Sequence, residues 1–328
     1  MTHVLGLDAG NTKTVALLAQ LDGTIVGSGR AGCGDIYGAG SPEAAMVQLD
    51  LAIAGALGGV GLDASALAAS CFSMAGADWP EDFEVIRCQL DARGLRRRVS
   101  IYNDAIGALR AGSPDGFGVS VACGTGTATG ARHPDGRLFH TSYWQAPQGA
   151  PELGQQVLDA VLRAELGLDP PTRLTARVLD FFKMDTVEEV LHRLTARVRP
   201  PDPSLGPLAR ALLDETLQGD PAALSIAHRH GTALGDYALV AAQRVGLAHT
   251  GFTLVMAGGV LRHPAPALRA ALVERVRAVA PEVRPLMSRF EPVVGAVLLA
   301  LEAAGVRVDV ALLDRVAATV PPAELFAT

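Results

Sequence analysis

Apolar residues open the chain in short blocks, Val4 to Asp8, Thr14 to Leu21 and Thr24 to Gly29, separated by tight polar or glycine-bearing turns. Blocks this short, bounded by turn residues, predict strands, and the brevity of the turns predicts an antiparallel meander. The period then becomes helical from about Pro42 to Leu57 and returns to a strand from Ala66 to Met74. A helix from about Glu81 to Ala92 follows, then a short strand from Val99 to Tyr102 ending in Asn103-Asp104, and a helix from Ala105 to Arg110. The first third of the chain therefore reads as an α/β unit with mixed strand directions.

A second meander is predicted over about Gly116 to Thr141, after which the pattern is helical from about Leu153 through Leu247. Pro170-Pro171 and Pro200-Pro201-Asp202-Pro203 punctuate this stretch as surface loops. Phe252 to Met256 reads as a buried strand running into Ala257-Gly258-Gly259-Val260, with helical segments at about Pro266 to Val279 and Gly295 to Ala304. A strand, a glycine turn and a helix in succession place a site at the carboxyl end of that strand.

The two meanders carry similar chemistry. Asp8-Ala9-Gly10-Asn11-Thr12-Lys13-Thr14 is a glycine turn with one carboxylate, hydroxyls and a lysine, and Gly124-Thr125-Gly126-Thr127 places a second Gly/Thr turn after an apolar run. Each unit then reaches an Asp-Gly turn, Asp22-Gly23 and Asp135-Gly136, that starts a third strand. In such a hairpin Gly10 admits an anion close to the backbone, Asp8 can organise a hydrated magnesium ion, and Thr12, Lys13, Thr14 and backbone NH groups can face phosphate oxygens. Asp, Asn and Gly also make an ordinary turn with no ligand, and it is the repetition that points to an internal duplication with a function.

Composition narrows the field. With 328 residues, 49% of them hydrophobic, the chain can build two lobes with separate cores. A net charge of -6 offers no general attraction to nucleic acid or to an anionic membrane. No signal-like segment precedes the first strand and no apolar run reaches spanning length, so a soluble, cytoplasmic protein is expected. Cys33, Cys71, Cys88 and Cys123 form no C-x-x-C pair, and the histidines form no H-E-x-x-H motif; His228 and His230 would point in different directions on a helix. Neither a disulfide framework nor a protein-ligated transition metal is expected. Gly27 to Gly32 matches G-x-G-x-x-G but opens no helix, and there is neither a P-loop nor a G-x-S-x-G elbow.

The order of three glycine turns, near residues 8 to 12, 124 to 127 and 257 to 260, with Asn103-Asp104 between the first two, resembles the actin, hexokinase and heat-shock chaperone class of ATP-binding proteins. Within it, these motifs look like the BadF/BadG/BcrA/BcrD ATPase family in its N-acetylglucosamine kinase-like branch, over essentially the whole chain. The resemblance implies an α/β fold of two ribonuclease H-like lobes, each a mixed five-stranded sheet with flanking helices, and a cleft between them. The lobes would span residues 1–112 and 113–328, with the last helices free to pack back on the first. It further implies MgATP as co-substrate. Gly10, Asn11, Thr12 and Lys13 would meet the β and γ phosphates, Asp8 would hold Mg2+ through water, and Gly124, Thr125, Gly126 and Thr127 would grip from the opposite lobe. Gly258 and Gly259 would pass beneath the adenosine. Asp104 would be the catalytic base of a kinase acting on a sugar or amino sugar, although as a residue before a helix it would also serve as an N-cap.

The acceptor side follows the pattern less closely. Asp35, in Gly34-Asp35-Ile36-Tyr37, stands where related kinases usually place an Asn and is a candidate hydroxyl ligand. Gly76, Asp78 and Asn103 would line the same site, with capping of the helix after Pro80 as the alternative for Asp78. The acidic Gly-Asp-Glu-Gly-type segment of the sugar kinases is replaced by Tyr143-Trp144-Gln145-Ala146-Pro147-Gln148-Gly149-Ala150-Pro151-Glu152. Glu152 could supply a carboxylate from a shifted position or sit in the first turn of the next helix. This leaves the acceptor open and admits two other functions: a non-catalytic ATP or sugar sensor, and an ATPase activator of a CoA-ester dehydratase. The activator would require cysteines sharing an iron–sulfur cluster, and none follows Cys123. Apolar helices in the second lobe suit a homodimer face or a core equally well.

Overall fold

A computed structural model describes residues 2–96, 98–146 and 148–327. Its first sheet comprises β1 (His3–Ala9), β2 (Thr14–Gln20), β3 (Ile25–Ala31), β4 (Leu67–Met74) and β5 (Val99–Asn103), in the order β3-β2-β1-β4-β5. Its second comprises β6 (Gly118–Cys123), β7 (Thr127–Arg132), β8 (Leu138–His140), β9 (Thr253–Ala257) and β10 (Arg284–Met287). Read from the β8 edge, the second sheet runs β8-β7-β6-β9-β10, the same arrangement as the first. In both, a three-stranded antiparallel meander continues into two parallel strands. The duplication read from the hairpins thus extends to the whole sheet.

The helices are α1 (Pro42–Gly58), α2 (Pro80–Ala92), α3 (Asp104–Gly112), α4 (Ala150–Glu165), α5 (Leu174–Phe182), α6 (Val187–Thr195), α7 (Gly206–Leu217), α8 (Pro221–Val245), α9 (Ala267–Arg277), α10 (Pro292–Ala303) and α11 (Val310–Thr319). Strand β10, with three of its four residues exposed, and α11, which buries Leu312 and Val316 one turn apart, lie outside the elements expected from the sequence; α10 begins three residues earlier than its pattern predicts, because Pro292 is favoured in a first helical turn. His228 is exposed and His230 buried on α8, as their spacing requires.

Helix α1 covers β3 at very short range. A Cβ added at Gly27 or Gly29 would lie 2.1 Å from the Ala56 carbonyl oxygen or 2.0 Å from that of Ala52. The G-x-G pattern there is therefore a packing device. Helix α10 lies against β1, β4 and α3, and its Val293, Val294, Ala296 and Val297 share a core with Val4, Val15, Ala69 and Ile106. The contact is backbone to backbone: a Cβ on Gly295 would stand 1.9 Å from the Gly107 carbonyl oxygen, and one on Gly6 would stand 2.3 Å from the Val297 nitrogen. No described helix is long and apolar enough to cross a membrane.

Candidate active site

Most candidate segments sit at the carboxyl end of a strand. Asp8 and Ala9 end β1, residues 75–79 follow β4, Asn103 ends β5, Gly124 follows β6, and Gly258 follows β9. In open α/β sheets, backbone groups left unpaired at strand ends converge there on ligands. Here they border a cleft of about 470 Å³ between the sheets, lined among others by Asp8, Gly10, Asn11, Thr12, Lys13, Asp35, Asp78, Asn103, Asp104, Gly124 to Thr127 and Gly258.

The two hairpins are closed alike, with Gly10 N donating to the Lys13 carbonyl at 2.9 Å and Gly124 N to that of Gly126 at 2.9 Å. Asn11 and Thr12 are exposed to the cleft. Thr14 is not: it is fully buried, and its hydroxyl donates to the Gly32 carbonyl at 2.9 Å. Lys13 turns toward the end of the chain and donates to the carbonyl of Phe326, a cleft-lining residue of the 3-10 turn Ala323–Phe326, which Arg30 also holds through the Glu324 and Ala327 carbonyls. The hydroxyl of Thr14 therefore points away from the cleft, while Lys13 lines the cleft and is engaged by Phe326. To meet a phosphate, Lys13 would have to release Phe326 first.

Gly258 has φ +88° and a Cβ there would strike the Cys123 carbonyl oxygen at 2.3 Å, so this position demands glycine on two counts. Gly259 and Gly126 have open space where a side chain would stand, and a Cβ on Gly124 would lie 3.9 Å from Gly259 N. The second and third glycine turns therefore adjoin one another around free volume. Helix α4 begins beside them, with Ala150 N donating to the Gly124 carbonyl at 2.7 Å.

Asn103, not Asp104, caps α3, its Oδ1 accepting from Ala105 N at 3.1 Å. This leaves Asp104, the first helical residue, with its carboxylate recessed beside the cleft. Burial, reinforced by Asp78, pushes its pKa up to about 7. Asp8 rises to about 7 for the same first reason, with Asp104 as the principal neighbouring charge and Lys13 opposing. Two carboxylates on one cleft, both raised by burial, are a fit site for positive charge. Among the described residues no three His, Cys, Asp or Glu converge as a metal-ligand set; a cation between Asp8 and a phosphate would complete its shell with water and phosphate oxygens.

On the other side, Asp35 Oδ1 accepts from Tyr37 N at 2.9 Å, and Asp78 Oδ1 accepts from Asn103 Nδ2 at 2.9 Å and Ser142 Oγ at 2.6 Å. Asp78 does not cap α2. That turn is fixed by Asp82, which accepts from Asp78 N and Trp79 N. Gly76 is absent from the cleft wall and lies under the 35–36 loop, where a Cβ would meet Asp35 Oδ1 at 2.5 Å. Glu152 is also absent from the wall: it sits in the first turn of α4 and accepts from Gln148 N at 2.6 Å and Gln156 Nε2 at 3.1 Å. Its helix-turn alternative describes it. The cleft also includes Ser142, Tyr143, Gln148, Glu291 and Phe326, which no sequence motif singled out as site residues. Glu291 is engaged by Arg262. The Cys123 thiol is buried and pushed up to about 12, far from the thiolate a cluster ligand needs.

Comparison with known proteins finds that residues 5–300 match the model of the BadF/BadG/BcrA/BcrD ATPase family. A curated relative, the N-acetylmuramic acid/N-acetylglucosamine kinase of Clostridium acetobutylicum, is 28% identical over 196 residues. The match covers 58% of this chain and 64% of that protein, so the chain spans under two thirds of the curated relative's length. Among solved structures, a Chromobacterium violaceum protein provisionally named N-acetylglucosamine kinase superposes with a TM-score of 0.66 at 24% identity, over 92% of this chain and 99% of that one. A ROK family glucokinase from Streptomyces griseus, solved with glucose and AMPPNP, superposes with a TM-score of 0.58 at 17% identity, over the same shares of the two chains. These likenesses establish the two-sheet, actin-like ATPase fold.

Proposed function

The chain belongs to the BadF/BadG/BcrA/BcrD ATPase family, and from that membership we propose that it is an ATP-dependent kinase transferring the γ-phosphoryl group to a hydroxyl of a sugar or amino sugar. The observation that carries this reading is the position of Asp104. It is a recessed carboxylate, freed from capping by Asn103, in a cleft that also holds the glycine turns and the carboxylates of Asp35 and Asp78.

In this reading the backbone of residues 10–13, the Thr12 hydroxyl and the turn Gly124 to Thr127 bind the phosphates from opposite sides. Lys13 joins them after exchanging the Phe326 carbonyl for a phosphate oxygen. Gly258 and Gly259 leave room for the adenosine, and Asp8 holds hydrated Mg2+, which when bound supplies positive charge to the phosphate oxygens. Asp35, Asp78 and Asn103 orient the acceptor. Its hydroxyl oxygen forms a bond to the γ-phosphorus as the bond to the β-bridging oxygen breaks, ADP leaves, and the hydroxyl proton passes to Asp104. The products are a phosphomonoester and ADP. Positioning and charge stabilisation supply most of the acceleration.

The reading is tested by ADP release over a panel of hexoses and amino sugars. Turnover is expected only with an acceptor present; steady ATP hydrolysis without one, or no turnover with any, overturns it. Because Asp104 must be unprotonated to accept, and its pKa is raised to about 7, kcat/KM for the acceptor is expected to fall as the pH drops below about 7. A profile flat from pH 6 to 8, roughly a unit either side of that midpoint, would exclude Asp104 as the base.

A further inference from the structure

Helix α11 and the segment after it follow β3, the edge strand of the first sheet, toward the phosphate hairpin. Arg315 Nε donates to the Asp22 carbonyl at 2.7 Å and Ile25 N donates to Thr319 Oγ1 at 2.9 Å, so α11 is tied to the β2–β3 turn. That turn is remote from the cleft. The register pairs Ile25 with Ala19 and Ala31 with Thr14, which places Arg30 at the opposite end of β3, next to the hairpin that carries Lys13. The residues that close the distance begin with Pro321-Pro322, whose fixed φ makes a stiff bridge. The 3-10 turn Ala323–Phe326 follows, and its Leu325 and Phe326 rest half-buried against the core that contains Val15 and Val293.

The grip on this segment is slight and is made by two cations. Arg30 Nη1 donates to the Glu324 and Leu325 carbonyls at 3.1 and 3.3 Å, Arg30 Nη2 donates to that of Ala327 at 2.6 Å, and Lys13 Nζ donates to that of Phe326. Among the described residues, 321–327 make no other hydrogen bond outside their own turn, and no strand pairing joins them to β3. Lys13 is half-buried and shares the cleft wall with Asp8 and Phe326. A cation so placed needs a partner before a nucleotide arrives, and the Phe326 carbonyl supplies one. A phosphate oxygen carries formal charge where a carbonyl carries only a dipole, so its bond to an ammonium group is the stronger. One of the two cations holding the segment is thus the residue that a phosphate would claim.

Resting on the nucleotide half of the kinase reading, we propose that residues 322–327 form an autoinhibitory latch: the Phe326 carbonyl holds Lys13 in the nucleotide-free protein, and the terminal phosphates of ATP bind by displacing it. ATP then meets only those molecules whose latch is open, and its apparent affinity is reduced by that fraction. A latch open in one molecule in ten weakens ATP about tenfold. AMP is indifferent to the latch, because it lacks the β and γ phosphates that compete for Lys13.

The test is calorimetric titration of AMP and of the magnesium complex of AMPPNP, a non-hydrolysable ATP analogue, into the parent chain and a variant ending at Pro321. The shortened chain is expected to bind AMPPNP at least about threefold more tightly, with AMP affinity unchanged within about 1.5-fold. In a Lys13→Met background the same shortening should change AMPPNP affinity by less than about 1.5-fold, since the contact it removes is already gone. Should the shortened chain fail to fold, the full-length double variant Leu325→Ser, Phe326→Ser, which loosens the apolar seat of the turn, carries the same expectations. Unchanged or weaker AMPPNP binding overturns the latch, as does an equal gain for AMP or a gain that persists without Lys13. Failure of every form to bind AMPPNP removes both the latch and the kinase reading. Tighter AMPPNP binding in a chain that transfers phosphate to no sugar would leave the latch standing and remove the kinase reading. Transfer with AMPPNP affinity indifferent to the segment would do the reverse.

Discussion

Asp104→Asn is expected to lower phosphoryl transfer about a thousandfold, the middle of the range for a lost general base, while the dissociation constant for ATP stays within about twofold. The same substitution should make the protein more stable. Asp104 has a folded pKa raised to about 7 from an ordinary value near 4. Between those values the folded state holds the proton more tightly than the unfolded chain does, so rising pH costs stability throughout that window and the full penalty persists above it. Asparagine carries no charge at any of these pH values. Melting curves at pH 8 should therefore place the variant above the parent, and at pH 4 the difference should shrink. A variant that is inactive but no more stable at pH 8 would show that Asp104 is not under the strain its burial implies. Loss of activity with gained stability is the usual signature of a charge kept for chemistry.

The second large effect concerns the joint between α3, α10 and β1. Gly295→Val is expected to destabilise the protein by at least about 3 kcal/mol, the upper end for overpacking. Its Cβ would be placed 1.9 Å from the Gly107 carbonyl oxygen and 2.7 Å from Ala111 N, and neither backbone group belongs to a flexible side chain that can move away. The melting temperature should drop by at least about 4 °C. Because α3 carries Asp104 at its first turn, and β1 carries Asp8 and packs on the same helix, acceptor turnover should fall more steeply than ATP binding. A valine variant that melts within a degree or so of the parent would mean that the two helices are not held at backbone contact in solution.

The parts of the site that could be read from the sequence are those whose chemistry is local. Asp8 to Lys13 and Gly124 to Thr127 announce themselves because a tight turn restricts which residues can occupy it, and the same residues bind anions. The family resemblance then supplied roles that no single turn could. Contacts between distant segments left no such trace. Lys13 meets Phe326 across 313 residues, and Ser142 meets Asp78 across 64; nothing in either neighbourhood marks the partner. The cap of α3 was misjudged by one residue because Asn and Asp are equally good caps and only backbone geometry decides between Asn103 and Asp104. Gly76 has the composition of a binding loop, yet its lack of a side chain serves to admit Asp35.

Helix α10 also governs the order in which the molecule can assemble. The face of β1 and β4 that it covers is formed from residues completed by Met74, whereas α10 ends at Ala303, more than 200 residues later. At ribosomal speeds of about 5–20 residues per second, the nascent first sheet would wait on the order of 10–40 seconds with Val4, Val15 and Ala69 uncovered. The helical insertion that follows β8 is made in that interval and can bury its own core. A chain of this design therefore completes its second sheet's surroundings first and its first sheet last.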